Sequence, residues 1–447
     1  MLALAALMGL LLWPRTMVNA DEFRYAGQAR LLLQGRMTWA EGAPLPGGEG
    51  YPEDGIRYPY GWPLLLAPAA LLGFRALHVV PLIMLLIGGA AFARILVRRS
   101  LPSYLVGVFV FHPLFWSFSR TLMSDVPSVA LALGAIDAWE HRQRPARSGA
   151  LLGYSLFMRL ASLFSIMGFG VATLSRWGKR RREVILLVVG GGCAAILLGL
   201  QFMLVRSGPA HSPYAFGGWS MLGWRGAGEH LALSIGGLLL IPPFPLLALL
   251  ARHRACDRWA LGAIPVVVFF LAYTYNDESG RWVETFLGGQ RLILPAHAFL
   301  MVSTARVWGR IPLLSTLPVM LAAGSIGPLV HTSALEHLTH RYADATEAIR
   351  SCDAGVIAYT RSAARVALAN DARSFHLIDY RDPPAGADVA VVAFATPTNR
   401  PTSQGGGYEL SGFLASHMTS CRQFGEFYVF DLTGRCPDQG LPCHLPH

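Results

Sequence analysis

The chain opens with residues 2–18, LALAALMGLLLWPRTMV, and runs at once into residues 19–26, NADEFRYA. An apolar stretch suited to a bilayer is thus followed by two adjacent carboxylates, Asp21 and Glu22. Acidic groups at a membrane edge are expensive and serve no packing purpose, so such a pair is a functional signal. The residues behind it, with Phe23, Arg24, Tyr25, Ala29 and Gly35, read as a short amphipathic segment that holds the acids against the membrane face. Val18-Asn19-Ala20 also resembles a small-residue cleavage site, which would make the first apolar run a signal peptide. A retained anchor is preferred, because no basic residue precedes the run.

The rest of the chain agrees with this start. Of 447 residues, 53% are hydrophobic and 14% charged, where soluble domains carry about 25% charged residues. Mean hydropathy is +0.41. These values exclude an ordinary soluble enzyme and predict an α-helical polytopic membrane protein. The net charge of +10 is almost all arginine, Lys179 being the only lysine. Arginine suits bidentate phosphate contacts, although a GC-rich coding sequence raises arginine equally.

Apolar runs fall at 2–18, 76–97, 101–118, 126–140, 149–160, 161–175, 184–205, 231–251, 259–275, 291–308 and 311–331. Crossing a bilayer takes about 20 residues, so the pair within 149–175 is short. Alternate loops are basic: Arg94, Arg98 and Arg99; Arg142, Arg144 and Arg147; Arg176 with 179–182; Arg252, Arg254 and Arg258; Arg306 and Arg310. The positive-inside rule makes these cytoplasmic, and an even number of passes must then separate the blocks at 142–147 and 176–182. The reading is about eleven spans, with the N-terminus inside and the C-terminus outside. Loops 19–75, 119–125, 206–230 and 276–290 fall on the outer face, and the apolar run 64–72 is re-entrant or interfacial.

From about residue 335 charge rises and apolar runs shorten to strand length. Residues 355–359, 374–379, 389–394 and 426–431 read as buried strands, and 361–369 and 408–419 as helices. A membrane module (1–334, first outer loop 19–75) is therefore expected to precede a small extracytoplasmic α/β domain (335–447). This tail holds Cys352, Cys421, Cys436 and Cys443, while Cys193 and Cys256 lie in or beside spans. One or two disulfides are expected there in preference to zinc, since the spacing fits no standard ligand pattern. His331, His337 and His340 read as interfacial, and 405–407 as a flexible glycine loop.

Polar residues concentrate on the outer face. Asp21 and Glu22 are followed by Arg57, Tyr58, Pro59, Tyr60 and Gly61, then by Arg120 and Asp125, by Arg159 between two short spans, and by Gln290-Arg291. A carboxylate can deprotonate a hydroxyl, and arginines can neutralise a phosphate leaving group. Taken singly, each arginine reads equally well as snorkelling to lipid phosphate, and Asp125 as part of a helix N-cap. Their coincidence on one face points to a site for an anionic headgroup.

The order of these segments resembles the GT-C glycosyltransferases, the group that includes protein O-mannosyltransferases and bacterial aminoarabinose lipid A transferases. The resemblance rests on Asp21-Glu22 with Tyr25 and Ala29, Tyr58-Pro59-Tyr60-Gly61, Ser124-Asp125-Val126-Pro127, and the late GGQRLILP at 288–295, and spans roughly residues 1–310. Related enzymes place a lysine or second proline beside the proline where this chain has Tyr58-Pro59-Tyr60. The resemblance implies inverting transfer of a sugar from a polyprenyl-phosphate donor to a lipid, glycan or protein acceptor at the extracytoplasmic face of a bacterial inner membrane. It implies Asp21 as catalytic carboxylate with Glu22 and Asp125 in support. Arg57, Arg159, Arg291 and Arg120 are the donor-phosphate candidates, and Tyr25, Tyr58 and Tyr60 line the substrate. It implies no nucleic-acid partner, and a divalent metal at Asp21, Glu22 and Asp125 is not favoured. The rivals are a lipid or lipid-linked-glycan flippase, which would place charges at mid-membrane or show a repeat, an oligosaccharide ligase, and a binding domain that the spans merely anchor.

Overall fold

The computed structural model describes residues 1–14, 20–35, 58–141, 144–174, 227–241, 245–251, 257–272 and 289–309, with helical pieces between 184 and 200. In the C-terminal part it describes 356–358, 374–376, 389–393, 416, 419–424 and 427–434. Outside these residues lie Arg57, the expected span 311–331, residues 206–226 of loop 206–230, His331, His337, His340, the glycines at 405–407, helix 361–369 and most of helix 408–419. So do Cys193, Cys256, Cys352, Cys436 and Cys443.

The first part of the chain is helical: α1 (Leu2–Leu11), α2 (Ala20–Leu33), α3 (Gly61–Ala70), α4 (Val79–Arg98), α5 (Val106–Val110), α6 (Pro113–Ser119), α7 (Asp125–Glu140), α8 (Pro145–Met158) and α9 (Ser162–Leu174). Then come α10 (Ala227–Leu240), α11 (Pro245–Ala251), α12 (Ala263–Ala272) and α13 (Leu294–Trp308), with 3-10 turns at Phe74–His78, Ser103–Leu105 and Arg258–Gly262. Among the described residues one helix, Arg75–Arg98, is long and apolar enough to cross a membrane, and shorter apolar helices include Leu2–Leu11, Gly61–Ala70 and Ala227–Leu240.

Two expected spans are broken in the structure. The run 101–118 divides at His112, where Pro113 opens α6 and the His112 Nδ1 accepts the Leu114 N–H. The run 231–251 divides ahead of Pro242-Pro243, residues that cannot continue a helix. The run 149–175 divides at Arg159, as expected from the charge count, and 64–72 lies mostly in the buried-faced helix α3.

Helices α4, α7 and α8 form the centre of the bundle, which buries Phe92, Phe109, Phe115, Trp116, Trp139, Phe169, Trp259 and Phe299. Leu11, Leu72 and Leu240 are 74%, 81% and 72% exposed, so the outward faces are apolar, as a lipid-facing surface requires. The three arginines at the end of α4, expected at the cytoplasmic side, are paired. Arg94 and Arg98 meet Asp137 at 2.8 and 2.6 Å, and Arg99 binds Glu140, Asp257 and the Val302 carbonyl at 2.5, 2.8 and 2.6 Å. One guanidinium thus ties α4 to α7, to the turn before Arg258–Gly262, and to α13.

The described part of the tail is a five-stranded sheet, β1 (Val356–Ala358), β2 (Ser374–His376), β3 (Val389–Ala393), β4 (Ser420–Phe424) and β5 (Phe427–Asp431), in the order β2-β1-β3-β5-β4. β1 pairs parallel with β2 and β3, while β5 pairs antiparallel with β3 and β4. Four strands coincide with the apolar runs read from sequence, and β4 begins just past the segment read as a helix. Cys421, on β4, is disulfide-bonded.

Candidate active site

The acids after α1 sit in the first turn of α2, where a helix N-terminus favours negative charge. They face in different directions. Glu22 is fully buried, and its Oε2 accepts the Leu122 N–H at 2.8 Å. Asp21 keeps a side chain 22% exposed; its Oδ1 accepts the Tyr58 hydroxyl at 2.5 Å, the length of a charge-assisted bond.

Tyr58 enters the site because α3 is laid tightly on α2 and α8. A Cβ at Gly61 would lie 2.7 Å from the Phe157 carbonyl, so only glycine fits where α3 begins. The Tyr154 hydroxyl donates to the Gly61 carbonyl at 2.9 Å, Trp62 Nε1 donates to the Leu122 carbonyl at 2.6 Å, and Gln28 Nε2 reaches the Tyr58 carbonyl at 3.3 Å. Tyr25 packs against Tyr58 with ring centroids 4.7 Å apart, and its hydroxyl shares a 3.1 Å hydrogen bond with Ser124. Burial, and then the Asp21 charge, push the Tyr25 hydroxyl above its ordinary pKa of 10.0. Tyr60 is buried beside Phe157, and burial raises its hydroxyl as well.

Asp125 opens α7 with a side chain only 1% exposed. Ser124 stands at the N-cap position but makes no side-chain cap, since its hydroxyl is engaged with Tyr25. The Asp125 carboxylate forms an ion pair with Arg159, which the break between α8 and α9 directs inward. Arg291 completes the group: its Nη1 lies 3.6 Å from Asp21 Oδ2 and its Nε 3.7 Å from Asp125 Oδ1. Asp125 Oδ2 is buried and accepts no hydrogen bond among the described residues.

Arg291 is held from behind. Gln290 Nε2 donates to the Leu233 carbonyl at 2.7 Å, and Gln290 Oε1 accepts from His297 Nε2 at 3.4 Å. Gly237 leaves the space that Gln290 fills, for a Cβ there would fall 1.8 Å from Gln290 Oε1.

Four residues read from separate loops, Asp21, Asp125, Arg159 and Arg291, therefore form one alternating group of two anions and two cations. Arg120 goes elsewhere, donating through Nη2 to the Leu12 carbonyl at 2.5 Å. Sequence reasoning did not single out Gln28, Trp62 or Tyr154. They act through backbone carbonyls, and only the proximity of Trp62 to the Tyr58–Gly61 segment could have signalled one of them. Among the described residues no three of His, Cys, Asp or Glu gather as a metal site.

No family model and no curated protein matches the chain. Solved structures do. The crystal structure of ArnT from Cupriavidus metallidurans bound to undecaprenyl phosphate superposes with a TM-score of 0.68 at 14% identity, covering 98% of this chain and 99% of that one. ArnT from the same organism in the apo state gives a TM-score of 0.65 at 14% identity over the same shares. Over nearly its whole length, this chain has the fold of ArnT.

Proposed function

We propose that the chain is an integral-membrane glycosyltransferase of GT-C type, moving a sugar from a polyprenyl-phosphate donor to a hydroxyl acceptor at the extracytoplasmic face with inversion. The observation that carries this reading is Arg291 shared between Asp21 and Asp125, with Arg159 on the far side of Asp125. The likeness in fold to a protein crystallised with undecaprenyl phosphate supports a lipid-phosphate donor.

The two acids take different roles because their surroundings differ. Asp21 is the more accessible, and the hydrogen bond from Tyr58 aims its carboxylate. It takes the proton of the acceptor hydroxyl as the acceptor oxygen bonds to the anomeric carbon. The bond from that carbon to the phosphate oxygen breaks, and the electron pair leaves with the polyprenyl phosphate. Arg159 and Arg291 face the growing negative charge, so the reading assigns no step to a metal. Asp125, buried and ion-paired, keeps both guanidinium groups in place. A donor carried by the bilayer enters sideways, which fits the apolar outward faces of the bundle.

The test is transfer of radiolabelled monosaccharides from polyprenyl phosphate by the purified chain, with a membrane extract as acceptor source. Asp21→Asn should lower kcat by about 10²-fold or more, the usual worth of a general base. Full-rate transfer by that variant would sink the mechanism, and substrate-dependent transport in vesicles without transfer would favour the flippase.

A further inference from the structure

Two fully buried histidines stand behind the site: His112, at the break between α5 and α6, and His297, in the first turn of α13. Their rings meet edge to face with centroids 5.0 Å apart. Packing alone has no use for an imidazole at either position, because a buried polar ring costs stability unless its nitrogens are bonded.

The hydrogen bonds fix where the protons lie. His112 Nδ1 accepts the Leu114 N–H, so this nitrogen is bare and the ring proton is on Nε2. Gln290 turns its Nε2 to the Leu233 carbonyl, which leaves Oε1 facing His297 as an acceptor. His297 Nε2 therefore donates, at 3.4 Å, and the Nδ1 of its neutral ring is an acceptor. His112 Nε2 and His297 Nδ1 are both buried without a partner among the described residues. One is a donor and the other an acceptor, on adjoining rings.

This chain of groups leads to the site. Gln290 is fully buried and bonded at both ends of its amide, to the Leu233 carbonyl of α10 and to His297 of α13. Residues 289–292 form one helical turn, so fixing the Gln290 side chain fixes the rotation of that turn. The rotation decides whether Arg291, the next residue, lies 3.6 Å from Asp21 and 3.7 Å from Asp125.

We propose that His112 and His297 are positioning residues for transfer. A hydrogen bond from His112 Nε2 to His297 Nδ1, direct or through one water, holds the His297 ring so that its Nε2 locks Gln290 and thereby Arg291. Neither histidine touches the reacting atoms. The inference rests on the glycosyltransferase reading and adds to it two residues that act through Gln290.

The experiment measures donor kcat/KM and acceptor KM in the transfer assay, with thermal unfolding of each purified full-length variant alongside. His297→Leu removes the donor to Gln290, and His297→Gln puts an amide N–H where Nε2 stood. His112→Asn keeps an acceptor for the Leu114 N–H and deletes the Nε2 donor. Loss of one neutral hydrogen bond of this kind costs about fivefold. We expect His297→Leu to lower donor kcat/KM by that factor and His297→Gln to restore most of it. His112→Asn should lower it about threefold, and acceptor KM should stay unchanged throughout. Added to Arg291→Gln, His297→Leu should cost nothing further, because the residue it acts through is already gone. Phe299→Leu opens a cavity on the same helix, and should lower the unfolding temperature while leaving donor kcat/KM alone. Active wild type with donor kcat/KM kept within twofold in His297→Leu or His112→Asn overturns the proposal and leaves the glycosyltransferase reading standing. Full additivity of His297→Leu with Arg291→Gln, or an equal loss in Phe299→Leu, likewise overturns it and makes the histidines packing residues only. No transfer by the wild type strikes the reading itself and the inference with it.

Discussion

Replacing Arg291 with glutamine tests the site through its most connected residue. The guanidinium lies 3.6 Å from one carboxylate and 3.7 Å from the other, so it faces two anions at nearly equal range. At an effective dielectric constant of about 20, each such contact is an attraction of roughly 4–5 kcal/mol before desolvation is charged against it. The wild-type group holds two carboxylates against two arginines and is neutral overall. Without Arg291 it carries one negative charge, and a donor phosphate arriving about 5 Å away meets roughly 3 kcal/mol of repulsion. That corresponds to about 10²-fold in kcat/KM. Arg291→Lys keeps the charge but loses the flat fork that reaches both acids, and a tenfold loss is expected. The assay is initial-rate transfer across a range of donor concentrations at fixed acceptor. The effect should appear mainly in the donor terms, with acceptor KM little changed. Donor kcat/KM within twofold of wild type in Arg291→Gln would falsify the assignment of this arginine to the leaving phosphate.

Three other outcomes follow from the same geometry. Glu22→Ala removes a charge-assisted bond to a buried N–H, about 1.5–3 kcal/mol, and thermal unfolding of the purified protein should begin several degrees lower. Gly237→Ala places a methyl group against Gln290, which must move and carry Arg291 with it. Overpacking of this kind costs about 1–3 kcal/mol, and transfer should fall more than in a surface variant of equal stability. Tyr25 is held protonated in the folded protein, its hydroxyl standing above the ordinary value of 10.0. Its contribution to stability is complete below that pH and declines as pH rises past it, so the stability difference between wild type and Tyr25→Phe should stay flat from pH 6 to 9 in a chemical-denaturation series.

The residues of the site were largely legible in sequence as a set, because each is a charged or aromatic group at the end of an apolar run, where packing gives no reason for it. Asp21, Tyr58, Asp125, Arg159 and Arg291 all announce themselves in that way. Their pairing was not legible. Nothing in the spacing says that Ser124 bonds Tyr25 instead of capping α7, or that Glu22 turns inward while its neighbour Asp21 stays accessible. The apolar segments fixed the helical class but not the helix ends, since a single His112-Pro113 step inside the run 101–118 yields two short helices where hydropathy suggests one. In the tail, β4 was obscured because Ser420-Cys421-Arg422-Gln423-Phe424 has few apolar residues, and its place in the sheet depends on pairing with β5.

Leu122 shows how such a site is kept in shape. Its N–H is taken by Glu22 from α2 and its carbonyl by Trp62 from α3, so the peptide planes on both sides of one α-carbon are pinned by different helices. The residue behaves as a hinge bolted on both leaves, and the bolts pass through main-chain atoms. Alanine scanning at position 122 will therefore register only the loss of a buried leucine. The fastening itself is absent from any side-chain inventory of residue 122. Among the genetically encoded residues only proline abolishes the N–H, and an amide-to-ester replacement would release that bolt while leaving every side chain of the site unchanged.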